Sequence, residues 1–380
     1  MNISTLKTVI ARDISNLPGW TTKRRIIVIE SDDWGSIRMP SIAAFKKLKN
    51  EGLSIEGGSK RYNENDTLAD KNDLSALFET LYKFKDRYNR PAVLTPVTIV
   101  ANPDFKKIKE NGFNGYYFEP FTKTLEKYYG DDSAFKLWIQ GIMHNIFMPQ
   151  FHAREHLNVA EWMRALQQND TETLLAFNEG LWGFNNKKIS DSNISYQAAF
   201  DLHNTEDLIQ QAQSIKQGLD LFEKLFGYRA SFFVPPNGPF NNSLEKVAAD
   251  GGIKYMSTPK IQVEPIGLGR TKKVFHWLGK KNRHGQLYLT RNCFFEPSEE
   301  GKDWVDSCLS NIESSFRWNK PAIISSHRVN YIGSLNIANR DRGLKLLNKL
   351  LMSILNKWPE TEFCTSNGLG DIIATSKNML

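Results

Sequence analysis

The chain holds little that would make it a disulfide protein, a membrane protein or a repeat array. Its three cysteines, Cys293, Cys308 and Cys364, lie far apart with no Cys-x-x-Cys pair, which excludes a disulfide framework and a thiolate zinc site and fits a reducing compartment. No segment approaches the ~18 to 20 apolar residues of a spanning helix, and the first twenty residues hold no apolar stretch of signal length. A cytoplasmic protein without a membrane span is therefore expected. No repeat recurs at periods of ~20 to 50 residues, and no Pro-rich or Ser-rich linker divides the chain. Basic runs are scarce as well, the longest being Lys23-Arg24-Arg25. A formal charge of +7 is compatible with an acidic partner, but without longer basic tracts nucleic acid is not expected.

What remains is an ordinary globular composition, 40% hydrophobic and 24% charged over 380 residues, enough to bury a large core. Short β-branched runs alternate with longer amphipathic stretches, the pattern of a parallel α/β sheet or barrel. The strand candidates are RIIVIES, PAVLTPVTIVA, IFMPQFH, RASFFVPP, IKYMSTP, GQLYLTRNCF, PAIISSH and TEFCTS. Helices are expected in SIAAFKKLKNEG, NVAEWMRALQQ, LIQQAQSIKQGLDLFEKLFG and NRDRGLKLLNKLLMSILNKW. One elaborated α/β barrel domain over residues 1–380 accounts for the length, with insertions at about 50–75 and 157–200. The polar stretches within them, 50–75 and 183–197, read as surface loops of the kind that serve as lids.

Polar clusters fall at the ends of the strand candidates, where parallel-sheet enzymes build their sites. The first is Glu30-Ser31-Asp32-Asp33-Trp34-Gly35, three acids in four positions after the apolar run Ile26–Ile29. Buried carboxylates need a cation or a solvated cleft, although the same letters also suit a turn or a helix N-cap. The second is Gln150-Phe151-His152-Ala153-Arg154-Glu155-His156. On a helix, His152 and His156 would share one face at ~5 to 6 Å and could reach a single metal, though two surface histidines fit the spacing equally. Third, Val234-Pro235-Pro236-Asn237-Gly238 ends a strand abruptly, as a cleft wall or as a plain turn. Fourth, His327 follows the apolar strand Ala322–Ser326 and suits either a structural role or proton donation.

Together these clusters resemble the polysaccharide deacetylases, the NodB-homology group of carbohydrate esterase family 4. ESDDWG stands where that family has Thr-Phe-Asp-Asp-Gly, HAREH stands for its His-Ser/Thr-x-x-His, and VPPNG for its Arg-x-Pro-x-Gly. Asp303-Trp304 matches its Asp-Trp segment and Ser325-Ser326-His327 its Leu-x-His, all in the family's order. The resemblance implies a deformed (β/α) barrel and a metal-dependent deacetylase acting on an acetylated sugar or polysaccharide precursor; with no stretch of signal length seen, a place in surface polysaccharide biosynthesis is expected. It implies Asp32 as general base, His327 as general acid, and Asp33, His152 and His156 as ligands of a divalent ion, with Zn²⁺ expected. Substrate contacts are expected from Trp34, Pro236, Asn237, Gly238, Arg154 and Trp304.

The chain departs from the family in three places. Val234 replaces the third-motif arginine that orients the base, leaving Arg229, Arg291 or Arg154 to supply the charge; Trp34 replaces a small glycine; Glu30-Ser31 replaces Thr-Phe. The interval between Asp33 and His152 is also longer than a minimal member needs. A related carbon–nitrogen hydrolase, a glycoside hydrolase on a similar barrel, and a non-catalytic glycan-binding protein remain open beside the deacetylase.

Overall fold

The computed structural model describes residues 12–56, 60–186 and 194–376. Nine strands form its main sheet: β1 (Ile26–Trp34), β2 (Leu94–Ile99), β3 (Gln150–Ala153), β4 (Phe232–Phe233), β5 (Tyr255–Ser257), β6 (Leu287–Leu289), β7 (Cys293–Phe294), β8 (Ala322–His327) and β9 (Glu362–Cys364). They lie in the order β6-β5-β4-β3-β2-β1-β8-β7, with β9 beside the start of β1, and every pair is parallel. All nine residues of β1 are buried, as expected for a strand covered on both faces.

The two ends of this path are covalently joined. β6 and β7 occupy opposite edges, yet only residues 290–292 separate them. Eight strands laid flat would span roughly 34 Å, whereas a three-residue link reaches at most about 14 Å. The sheet must therefore curl round until its edges approach, which makes a deformed barrel closed by a link of chain in place of a ladder. Each expected strand segment carries a strand, and GQLYLTRNCF carries two, split by this link.

Helices cover the outside. The longest two, Asp207–Phe226 and Ile337–Lys357, bury residues at helical spacing, among them Ile215, Leu219, Phe222 and Phe226 in the first and Leu344, Leu347, Leu351 and Ile354 in the second. Gly218 allows the first to lie against β3: a Cβ there would stand 2.8 Å from the Phe151 ring and 3.0 Å from the Arg154 nitrogen. Two antiparallel ribbons not expected from the sequence, Ala101–Pro103 with Phe118–Pro120 and Ile261–Gly267 with Arg270–Phe275, sit outside the sheet.

The first insertion is not the surface loop that its polarity suggested. Residues 60–65 and 71–82 are helical, and Asn63, Asp66, Leu68 and Ala69 are buried. Asp66 forms a fully buried ion pair with Arg328, just past the end of β8. In the second insertion, helices Val159–Gln167 and Thr171–Asn178 build a separate apolar cluster with Trp162, Phe177, Trp182 and Phe184, which reaches across to Met39, Leu48 and Ile55. Polar residues there serve as caps and buried hydrogen-bond partners, so composition misleads about exposure. Residues 57–59 and 187–193 of these segments lie outside the described residues.

Candidate active site at the strand ends

The C-terminal ends of the strands open into one cavity of about 610 Å³. Its wall includes Asp32 and Asp33 from β1, His152 from β3, Val234 and Pro235 after β4, Ser257 and Thr258 at β5, Arg291 and Asn292 from the closing link, and His327 at the end of β8. Consecutive strand ends thus gather side chains that lie far apart in sequence.

Two irregularities in the ladder aim the central groups. Between β1 and β2, Ser31 pairs with Pro96 and Trp34 with Thr98, so three steps of β1 face two of β2. This bulge breaks the alternation that would send Asp32 and Asp33 to opposite faces, and Asp33 takes the left-handed φ of 72° that the break demands. Gly35 completes the turn at φ 83°, where a Cβ would stand 2.1 Å from the Ile99 carbonyl oxygen. A second bulge between β2 and β3, where Thr98 pairs with Phe151 and Ile99 with Ala153, has His152 as its extra residue.

Asp33, His152 and His156 converge with their ligand atoms within 4.8 Å of one another, all three side chains buried. Asp33 Oδ1 lies 3.4 Å from His152 Nε2 and 3.0 Å from His156 Nε2. Two donors each roughly 2.0 to 2.1 Å from one tetrahedral ion would be about 3.3 Å apart, so these residues fit a zinc-sized cation. His152 Nδ1–H donates to the Val234 carbonyl at 2.5 Å, which turns the lone pair of Nε2 inward, and that buried atom has no protein hydrogen-bond partner. The pair does not share a helix face: His152 is on a strand, as IFMPQFH predicts, and His156 in the loop that follows, their ring centroids 5.3 Å apart. Burial opposes ionisation of Asp33, but the two imidazoles overcome it and hold the carboxyl well below its usual range.

Arg291 supplies the charge that Val234 lacks. Its Nη1 and Nη2 grip both oxygens of Asp32 at 2.6 Å, its Nε reaches Glu30 at 2.6 Å, and Nη1 also meets Ser325. Burial would raise Asp32, and the guanidinium overrides it, leaving that carboxyl below its ordinary value. Glu30, fully buried with its Oε1 unpaired, is instead pushed up by desolvation. Of the other expected arginines, Arg229 pairs with Glu223 and Asp220 at the surface, and Arg154 is spent on Glu155 beneath the Phe118 ring.

On the opposite side, the end of β8 places His327 beside Asp32, with Nε2 4.0 Å from Asp32 Oδ2. His327 Nδ1 meets Glu296 Oε1 at 2.6 Å, and Arg61 and Asn330 hold the other Glu296 oxygen at 3.0 and 2.9 Å. Burial disfavours the imidazolium, yet Glu296 and the two aspartates carry the His327 pKa up to about 9. The edge of Tyr62, from the first insertion, packs on the His327 ring at 5.8 Å.

Several expected substrate contacts are elsewhere. Trp34 is 1% exposed, packed edge-on against Trp138 and Phe147, with its indole N–H on Ser31 Oγ. The bulge that turns both aspartates to the cavity sends the next side chain into the core. Trp304 opens a helix away from the cavity, its N–H on the Glu299 carbonyl, and Asp303 caps that helix. Pro236 and Arg154 are absent from the lining, whereas Asn237 and Gly238 belong to it. Glu296 was not expected; the signal the sequence carried for it is an acid two residues past the strand CF.

The fold and this side-chain set define a parallel α/β barrel protein with a buried Asp-His-His cation site flanked by an Arg-clamped aspartate and a glutamate-held histidine. No family model and no curated protein matches the sequence. Solved structures similar to it include the 4-alpha-glucanotransferase of Thermococcus litoralis (TM-score 0.46, 10% identity, 93% of this chain). The chain spans about two-fifths of that protein's length, 41% of it being covered. They also include a probable polysaccharide deacetylase of Pseudomonas aeruginosa PAO1 (TM-score 0.41, 11% identity, 93% of this chain and 91% of that one). A peptidoglycan deacetylase of Bacillus subtilis is a third (TM-score 0.36, 10% identity, 92% of each chain). Such likeness decides nothing about the chemistry, which is read from the side chains themselves.

Proposed function

We propose that the chain is a metal-dependent carbohydrate deacetylase, cleaving an acetyl group from an acetylated sugar or glycan. The observation that carries this reading is the Asp33, His152 and His156 cluster lying between a clamped aspartate and a held histidine. A divalent ion at that cluster, zinc being the best match to one carboxylate and two imidazoles, supplies water of lowered pKa and polarises the acyl carbonyl. Asp32 accepts the proton of the attacking water; Arg291 keeps it ionised at neutral pH and fixes both oxygens, at the cost of a weaker base. His327, protonated because Glu296 faces its far nitrogen, passes its Nε2 proton to the departing sugar nitrogen or oxygen. Acetate leaves, and the sugar keeps the amine or hydroxyl.

The cavity argues against the glycosidase alternative. Asp32 and Asp33 are its only lining carboxylates among the described residues, one tied to arginine and the other between two imidazoles. Neither is a free carboxylic acid able to protonate a glycosidic oxygen.

Acetate release over a panel of acetylated sugar nucleotides and oligosaccharides, with and without chelator, tests the reading. We expect one equivalent of Zn²⁺ bound, activity lost on chelation and restored by zinc, and neither binding nor activity in Asp33→Ala. Release of reducing sugar without acetate, or chelator-insensitive activity, refutes it.

A further inference from the structure

One wall of the cavity carries a second charge feature, unused by the deacetylation chemistry. Arg12, Ser15 and Lys260 line it together with Asn292, Phe294 and Asn311. Lys260 Nζ is half-buried and donates to the Ser15 carbonyl, Ser15 Oγ and Asn16 Oδ1 at 2.6, 3.1 and 3.3 Å. Lys320 lines a small adjoining cavity with Lys260, is only 3% exposed, and donates to the carbonyls of Pro18, Gly19 and Trp20. All six partner oxygens are neutral, and neither ammonium has a carboxylate within ion-pair distance among the described residues. Among the described residues the Arg12 guanidinium has none either: Asp13, next to it, is turned to Ser314 and Arg317.

Removing cations from water without an anion is unfavourable. Such a group persists where its hydrogen bonds are full and its field is used. Several buried cations of this protein are matched, Arg291 by Asp32 and Glu30, Arg328 by Asp66 and Arg154 by Glu155, whereas the buried Arg38 meets Gln197 and the rings of Tyr62 and Trp182. Arg12 and Lys260 are cations without a carboxylate partner among the described residues, and both line the cavity that holds the cation cluster. Lys260 and Lys320 have spent all three ammonium hydrogens, so they contribute potential, whereas the half-exposed Arg12 still offers donors.

We propose that this wall is an anion subsite, and that the substrate is an acylated sugar bearing a phosphate or carboxylate which seats at Arg12. The inference rests on the deacetylase reading only for where the acyl group lies. Calorimetric titration of the zinc-loaded protein with N-acetylglucosamine, N-acetylglucosamine 1-phosphate and glucuronic acid tests it. Both anions are expected to bind about tenfold or more tightly than the neutral sugar, with the preference fading in high salt. Arg12→Gln should abolish the preference and Arg12→Lys restore part of it; the stronger of the two anions identifies the source of the charge. Equal affinity for all three sugars, or anion binding indifferent to Arg12→Gln as ligation by zinc would be, overturns the inference. Acetate release from the neutral sugar without anion preference leaves the deacetylase reading standing alone. Arg12-dependent anion binding with no acetate from any acetylated sugar sinks that reading and keeps the subsite.

Discussion

Replacing Glu296 by glutamine removes the carboxylate that keeps His327 charged while preserving its shape. Glu296 is the strongest influence raising His327 to about 9 from an ordinary 6.5, since it meets Nδ1 at 2.6 Å, whereas Asp32 stands 4.0 Å from Nε2. With Glu296 gone, burial and Arg61 oppose the imidazolium, and the pKa returns to about 6.5 or lower. At pH 8 the protonated fraction would fall from roughly nine-tenths to roughly one-thirtieth, a loss of about 30-fold in any rate that needs the acid. At pH 6 the same substitution should cost less than about twofold, because most of the imidazole is charged in both proteins. The assay is the pH profile of acetate release, with the His327 ring titrated by NMR in parallel. An equal loss at both pH values, or an unmoved His327 titration, would refute the assignment of Glu296 as a positioning residue. The same coupling gives a sign for stability. A folded pKa above 6.5 contributes stability in full below pH 6.5, and the contribution disappears as pH rises through about 9. Solvent reaches 26% of the side chain, which trims this to the order of 2 kcal/mol in the ion-free protein, absent from Glu296→Gln.

Arg291→Met would leave Glu30 and Asp32 buried without their cation, a cost of about 3 to 5 kcal/mol that urea unfolding would register as a lower midpoint. Arg291→Lys keeps the charge but loses the two-pronged grip on Asp32, so it should unfold nearer the native midpoint yet release acetate more slowly. Trp34→Ala should cost about 3 to 5 kcal/mol of stability as a core truncation, while Trp34→Phe leaves KM for the acetylated sugar unchanged; a raised KM in the phenylalanine variant would return the indole to the substrate.

Much of the frame was legible because strand periodicity and strand-end polarity are local signals. The eight apolar segments, the ends that carry Asp32, Asp33, His152 and His327, and the parallel α/β class all follow from the order of residue types. The departures have one cause in common, a dependence on chain neighbours remote in sequence. Whether 50–75 is loop or packed helix turns on Asp66 meeting Arg328, 262 positions away. Whether Trp34 faces sugar or core turns on one extra residue in β1 against β2. Glu296 acquires its role only because β7 lies beside β8, 31 positions before His327.

The sequence by itself determined which chemistry is available: carboxylates and imidazoles at the ends of buried strands, and no thiolates to compete for a cation. Only the tertiary structure decided how that chemistry is arranged. Curling the sheet brings the 290–292 link against β1, so Arg291 takes over the clamp that the Val234 side chain cannot supply. The physical reason is that a side chain's charge state and direction are set by what surrounds it, and for these residues the surroundings come from strands adjacent in space and distant along the chain.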